Sequence, residues 1–368
     1  MSTDDGRPDC RSGITCGEDT FPADSSMLSV SQEEASMELW DEVPEAGQFA
    51  AKVVASIGRY KLFEREEFVR FANLILSTSS VDSQGEAVSP RALGAMVREA
   101  NAKADWTWMG VDHDPLIHPR ARILAARLFY APGSQVHFIG AVAGFHDPTK
   151  CLGFRDLGAD IASLVRDELP HHAANQSNQV QLIANPHEFN ATSIKGLLDC
   201  APGTVSRKLA RATRKAADPL AILALSAPMS FLAWFAKRTA DKAADEFWSW
   251  LVRVFEMIAR HRRERVLFEF VSPYRGCRVE FVVDSKDPEV LCEASASMDG
   301  AAQSAASLVD RLHEQELKRL VYGFDAGARR WLPRWAVSNS VGVITDAPYL
   351  ISIDQQTGVS FGGIIPEE

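Results

Sequence analysis

Within WTWMGVDHDP, residues 106–115, an imidazole stands between two carboxylates: Asp112, His113 and Asp114. An imidazole with a pKa of about 6.5 exchanges protons near neutral pH, so His113 is the first candidate for acid–base chemistry. A catalytic histidine needs a hydroxyl or thiol within hydrogen-bond reach and a group that orients its ring. On an extended segment Asp112 and Asp114 face away from the His113 side, so neither neighbour serves as that group. The candidate hydroxyls are Ser177, in the polar stretch AANQSN, and Ser163. Surface serine is common, and neither residue stands in an S-x-G context.

The same histidines and carboxylates are the chain's candidate metal ligands. Asp112, His113, Asp114 and His118 are followed by His137, His146 and Asp147, and later by His171 and His172. No H-x-x-x-H or H-E-x-x-H spacing sets two ligands on one helical face. Six cysteines (Cys10, Cys16, Cys151, Cys200, Cys277 and Cys292) occur singly, without a C-x-x-C pair. That usage fits free thiols in a reducing compartment rather than a zinc ribbon or a disulfide framework. The sequence therefore leads us to expect neither a metal nor a cofactor.

The elements around His113 follow from residues 73–115. Leu74, Ile75 and Leu76 form an apolar run that ends in Ser77 to Ser80, and Asp82, Ser83, Gln84 and Gly85 supply turn chemistry. An apolar strand, the motif S-T-x-x-V-D-x-x-G-E-x-V-x-P-x-A-L, a helix and a strand ending in H-D follow in order. This pattern resembles the tailed-phage prohead maturation proteases over about residues 46–200. The resemblance implies a small β-barrel or sheet domain and a serine-peptidase site in which His113 is the catalytic histidine. In that family a serine follows a helix at the start of a strand, before an apolar residue and glycine. The matching stretch here, residues 179–185 (QVQLIAN), holds no Ser, Thr or Cys. The resemblance thus implies a protease-like pseudoenzyme that binds a protein partner. The alternative is a serine peptidase pairing His113 with an unidentified serine, for which Ser177 is the nearest hydroxyl.

Charge separates the tail from the body. Of 49 acidic side chains, twelve fall in residues 1–45 beside only Arg7 and Arg11, which leaves 37 of each sign for the rest. The tail is rich in Ser, Asp, Glu and Pro and is expected to be disordered. It has no basic stretch followed by an apolar one, so it reads as no secretory signal and the expected location is cytoplasmic. Hydrophobic residues make up 46% of the chain, enough for true cores.

Along the body, residues 46–72 read as helical through Phe49, Val53, Val54, Ile57, Phe63, Phe68 and Phe71. Residues 121–130 and 136–145 read as a hairpin, and their continuous apolar character suggests the covered strands of a small barrel. Residues 160–169 read as a helix and 180–184 as a further strand of that sheet. Residues 201–265 are expected to form a helical segment. It opens with a basic helix at 204–217, with Arg207, Arg211, Arg214 and Lys215 on one face. Residues 219–236 then lack any charge; eighteen residues would make about 27 Å of helix, the lower limit for a membrane span. Against a span, Pro228 interrupts the run, and two core helices bent there are the favoured reading. Phe247, Trp250, Leu251, Val254, Phe255 and Ile258 mark an amphipathic helix ending in the basic run 260–265. A membrane surface touched through residues 219–258 is the interfacial alternative. The basic runs lack interleaved aromatics and the chain is acidic, so nucleic acid is not an expected partner. Residues 266–368 read as a ββαβββ domain, one helix on an antiparallel sheet. The expected fold class is therefore α+β: a protease-like barrel or sheet domain, a helical hydrophobic middle and a C-terminal α+β domain.

Overall fold

A computed structural model describes residues 39–57, 68–80, 87–103, 108–109, 114–146, 150–159, 180–184, 188–207, 209–211, 220–237 and 241–346. The fold is mixed α and β, built on two sheets. The first has four strands in the order β1-β4-β3-β2, with β1 Phe68–Thr78, β2 Trp108–Met109, β3 Ala121–Ala131 and β4 Val136–His146, all antiparallel. β3 and β4 are the expected hairpin, joined by residues 132–135 with Gln135 at φ 56°. The described strands make an open sheet, not a closed barrel. β1 pairs only with β4, and β2 is too short to turn the sheet back on itself.

Two helices cover this sheet from opposite faces. α1 Pro44–Ile57 and the preceding Trp40 and Val43 pack on Phe129, Phe138 and Ile75. The helical pattern expected to run through residue 72 thus ends, among the described residues, at Ile57, and Phe68 and Phe71 belong to β1. α2 Pro90–Lys103 begins where Ser89 accepts from the Ala92 N–H and Pro90 takes the first helical position. Its Leu93 and Val97 pack on Ile123, Ala126, Ile139 and Ala141.

The second sheet has eight strands in the order β12-β11-β10-β9-β8-β7-β5-β6. They are β5 Gln181–Ala184, β6 Ala210–Arg211, β7 Leu220–Ser226, β8 Arg265–Tyr274, β9 Cys277–Asp284, β10 Leu317–Asp325, β11 Arg330–Ser338 and β12 Gly342–Ile344. Helices α3 Ala191–Asp199, α4 Met229–Ala236, α5 Lys242–Ala259, α6 Pro288–Ala296 and α7 Met298–Arg311 bury their apolar residues in one cluster with this sheet. The sheet is mixed rather than antiparallel: β7 runs parallel to β8, β9 to β10 and β5 to β6. Parallel neighbours require crossovers, which the pairs α4–α5 and α6–α7 supply.

Three expectations are corrected here. Strand 181–184 pairs with β7 in the second sheet and not with the first. The middle segment is not all helix: residues 220–226 are an inner strand, and most apolar residues of β7 and α4 are buried, Leu225 and Phe231 completely. Residues 204–217 form no basic helix where they are described, because Val205 sits in an isolated bridge and residues 210–211 are a strand. No helix among the described residues is long and apolar enough to cross a membrane. The ends of the C-terminal pattern match the expectation, except that two helices stand where one was expected. Residues 1–38, and the helix expected at 160–169, lie outside the described residues.

Candidate functional site

His113, Asp112, Asp147, Ser163, His171, His172 and Ser177 lie outside the described residues. The segment that follows His113 is described, and it is a joint between the two sheets. Asp114 is buried; its Oδ1 accepts from the Leu116 N–H at 2.9 Å, which fixes an Asx turn. Its Oδ2 takes Arg265 Nη1 at 2.5 Å, and the same guanidinium holds Asp284 through Nε at 2.8 Å. Burial alone would lower the Arg265 pKa. The hydrogen bonds and charges of Asp284 and Asp114 outweigh it, so the pKa stands above its ordinary value.

Apolar contacts hold the same joint. Trp335 Nε1 donates to the Pro115 carbonyl at 3.0 Å, and Leu116 and Trp108 pack on Leu220, Ile222, Leu267, Val282 and Val321. These side chains occupy the face of the second sheet opposite its helices. Gly323 permits a close approach there: a Cβ would sit 3.0 Å from Leu116 Cδ2 and 2.5 Å from Arg334 Nε, so both side chains would have to shift. A second joint forms where Leu152 bridges Ile344 and its carbonyl accepts from the Thr345 N–H at 2.8 Å.

The histidines of the motif region are used separately. His118 is fully buried, with Nδ1 3.0 Å from the Pro119 carbonyl oxygen. The His137 ring lies 4.7 Å from Tyr130, and that of His146 lies 5.7 Å from Trp108. Among the described residues no three His, Cys, Asp or Glu side chains converge in a way that would hold a metal ion. Cys277 is no nucleophile, because burial, helped by the charge of Glu280, pushes its thiol up to about 12.

Two charged features were not assembled by sequence reasoning. The first is Glu280, buried on the sheet face that carries the joint and gripped by Arg278 Nε and by Arg319 Nη2, the latter at 2.7 Å. Burial would raise its pKa, but the two guanidiniums outweigh it and hold the carboxyl below its ordinary range. The second is a cavity of about 940 Å³ between α3 and α5, lined by Arg253, Arg260, Arg262, Arg263 and His261. The turn carrying three of these arginines is fixed. His261 Nδ1 accepts from the Arg263 N–H, so Nε2 donates to the Glu188 carbonyl at 2.8 Å. Lys286 Nζ donates to the carbonyls of His261 and Arg263. The basic run 260–265 was visible in the sequence. Arg253, seven residues before Arg260 and so on the same helical line, gave the signal that α5 extends this charge.

No family model, curated protein or solved structure matches this chain.

Proposed function

We propose that this chain is a cytoplasmic, protease-like binding protein without peptidase activity, and that its first sheet contacts a protein partner. The observation that carries this reading is the placement of Asp114. The residue next to the only histidine the resemblance nominates is buried and ion-paired to the second sheet. A segment locked between two sheets serves as structure, whereas catalytic residues more often sit on loops that a scaffold presents to substrate. Two further observations support it. Residues 180–184, the place of the family's nucleophile, are strand backbone inside the second sheet and carry no hydroxyl or thiol. Four of the five exposed large apolar side chains among the described residues (Val69, Leu76, Met96 and Tyr130) belong to the first sheet and its helix α2, which is where a partner would gain apolar contact.

Incubation of the purified protein with a fluorophosphonate probe tests the reading. The expected result is no covalent serine labelling. Labelling that disappears in His113→Ala would establish the peptidase instead.

A further inference from the structure

The cavity between α3 and α5 is separate from the first sheet, and its chemistry does not depend on whether the His113 segment is catalytic. Four guanidiniums line it, from Arg253, Arg260, Arg262 and Arg263. Among the described residues Arg253 and Arg262 have no ion-pair partner, and Arg260 reaches Glu256 only at 3.9 Å. The second lining carboxylate, Glu188, accepts from the Ile222 N–H at 3.4 Å. His261 is committed to its two backbone hydrogen bonds, and four guanidiniums face two carboxylates in the wall of one cavity.

A basic residue at the end of α5 is ordinary compensation for the helix dipole, and that accounts for Arg260. It does not account for Arg253, two turns earlier, nor for Arg262, beyond the helix end. Nor does it explain why a lysine and a histidine are committed to holding the 261–263 backbone in place. A rigid turn that presents guanidiniums into a concavity is suited to an anion with several oxygens, because the planar fork binds phosphate through paired N–H donors. The N-terminus of α3 opens on the same cavity, but Asn190 already caps Thr192 and Ser193, so the arginines are the groups left to hold an anion.

We propose that this cavity binds a phosphate ester of mononucleotide size. Its volume falls inside the roughly 300–1,000 Å³ range of small-ligand sites. Phe189, Leu197 and Met257 also line it and would give a base or another flat organic group apolar contact. A long polyanion is less suited, because the neighbouring groove beyond Arg253 carries Asp245 and Glu246 against Lys242 alone, a net negative wall.

The test is calorimetric titration of the full chain with ATP, with inorganic tripolyphosphate and with a twelve-nucleotide single strand at low salt, alongside the double variant Arg253→Ala/Arg262→Ala. ATP and tripolyphosphate should bind, ATP more tightly. The double variant should lose at least about tenfold in affinity while melting at the wild-type temperature, as expected for two exposed side chains. Raising the salt should weaken wild-type binding more steeply than that of the variant, because fewer counterions are released. Arg329→Ala/Arg330→Ala, in a different groove, should bind as wild type. Absence of ATP and tripolyphosphate binding, binding that the double variant retains, or binding of the oligonucleotide alone would each overturn the proposal.

Discussion

At the scale of single residues, the consequential groups are those whose partners lie far along the chain. Asp114 and Arg265 are 151 positions apart, so nothing local in the sequence joins them. The sequence nominated Asp114 for its neighbour His113, whereas the structure gives it a different task. Glu280 teaches the same lesson: RVEFVV reads as an alternating strand, with no hint that its one acid is buried between two arginines. Its pKa is depressed in the folded state, so its contribution is present above its unfolded value and lost as pH falls through the folded one. Stability should therefore decline as pH drops below the ordinary 4.5, and Glu280→Gln should flatten that acid limb in denaturant titrations from pH 7 to 3. An unchanged limb would show that Glu280 is not held ionised. Gly323→Ala should cost about 1–3 kcal/mol by displacing Leu116 and Arg334 from the sheet, read as a lower urea midpoint. A neutral result would mean that the joint gives way easily.

At the scale of elements, legibility followed the range of the forces involved. The β3–β4 hairpin, α5 and the C-terminal strands were readable because turn residues and apolar period act within a few positions. At the β8–β9 turn Arg275 and Gly276 take positive φ, as a two-residue hairpin demands, and Gly276 marks it in the sequence. Of residues 219–236, the core helix after Pro228 was read correctly, but 220–226 was misread because a strand buried on both faces and a buried helix are both continuous apolar runs. Only pairing with β8, some 45 residues on, settles β7 as a strand. The short strand at 181–184 went to the wrong sheet for the same reason. Phe231→Ala, at a fully buried site in α4 against Phe235 and Phe247, should cost about 3–5 kcal/mol in chemical unfolding. Asp287→Ala, which removes the side chain capping Glu289 N–H at the start of α6, should cost about 1 kcal/mol. A value near zero for Phe231→Ala would contradict its placement in the core.

At the scale of the whole molecule, the second sheet is built from two β-helix-helix-β units, β7–α4–α5–β8 and β9–α6–α7–β10, joined by the β8–β9 turn. The two units run in opposite strand directions, step the same way across the sheet and lay their helices on one face. One of the two crossovers must therefore be left-handed, which is rare. With all the helices on that face, the other is left to the 114–120 segment, and the account stands on that segment being a joint. The most direct test is a double-mutant cycle on Asp114→Ala and Arg265→Ala, measured by equilibrium urea unfolding. Arg265 is 42% exposed, so the pair is expected to contribute less than a fully buried one. The account predicts a coupling free energy of about 1 kcal/mol between the two sites. Additive effects, with coupling below about 0.3 kcal/mol, would show that Asp114 does not clasp the second sheet and would contradict the central claim.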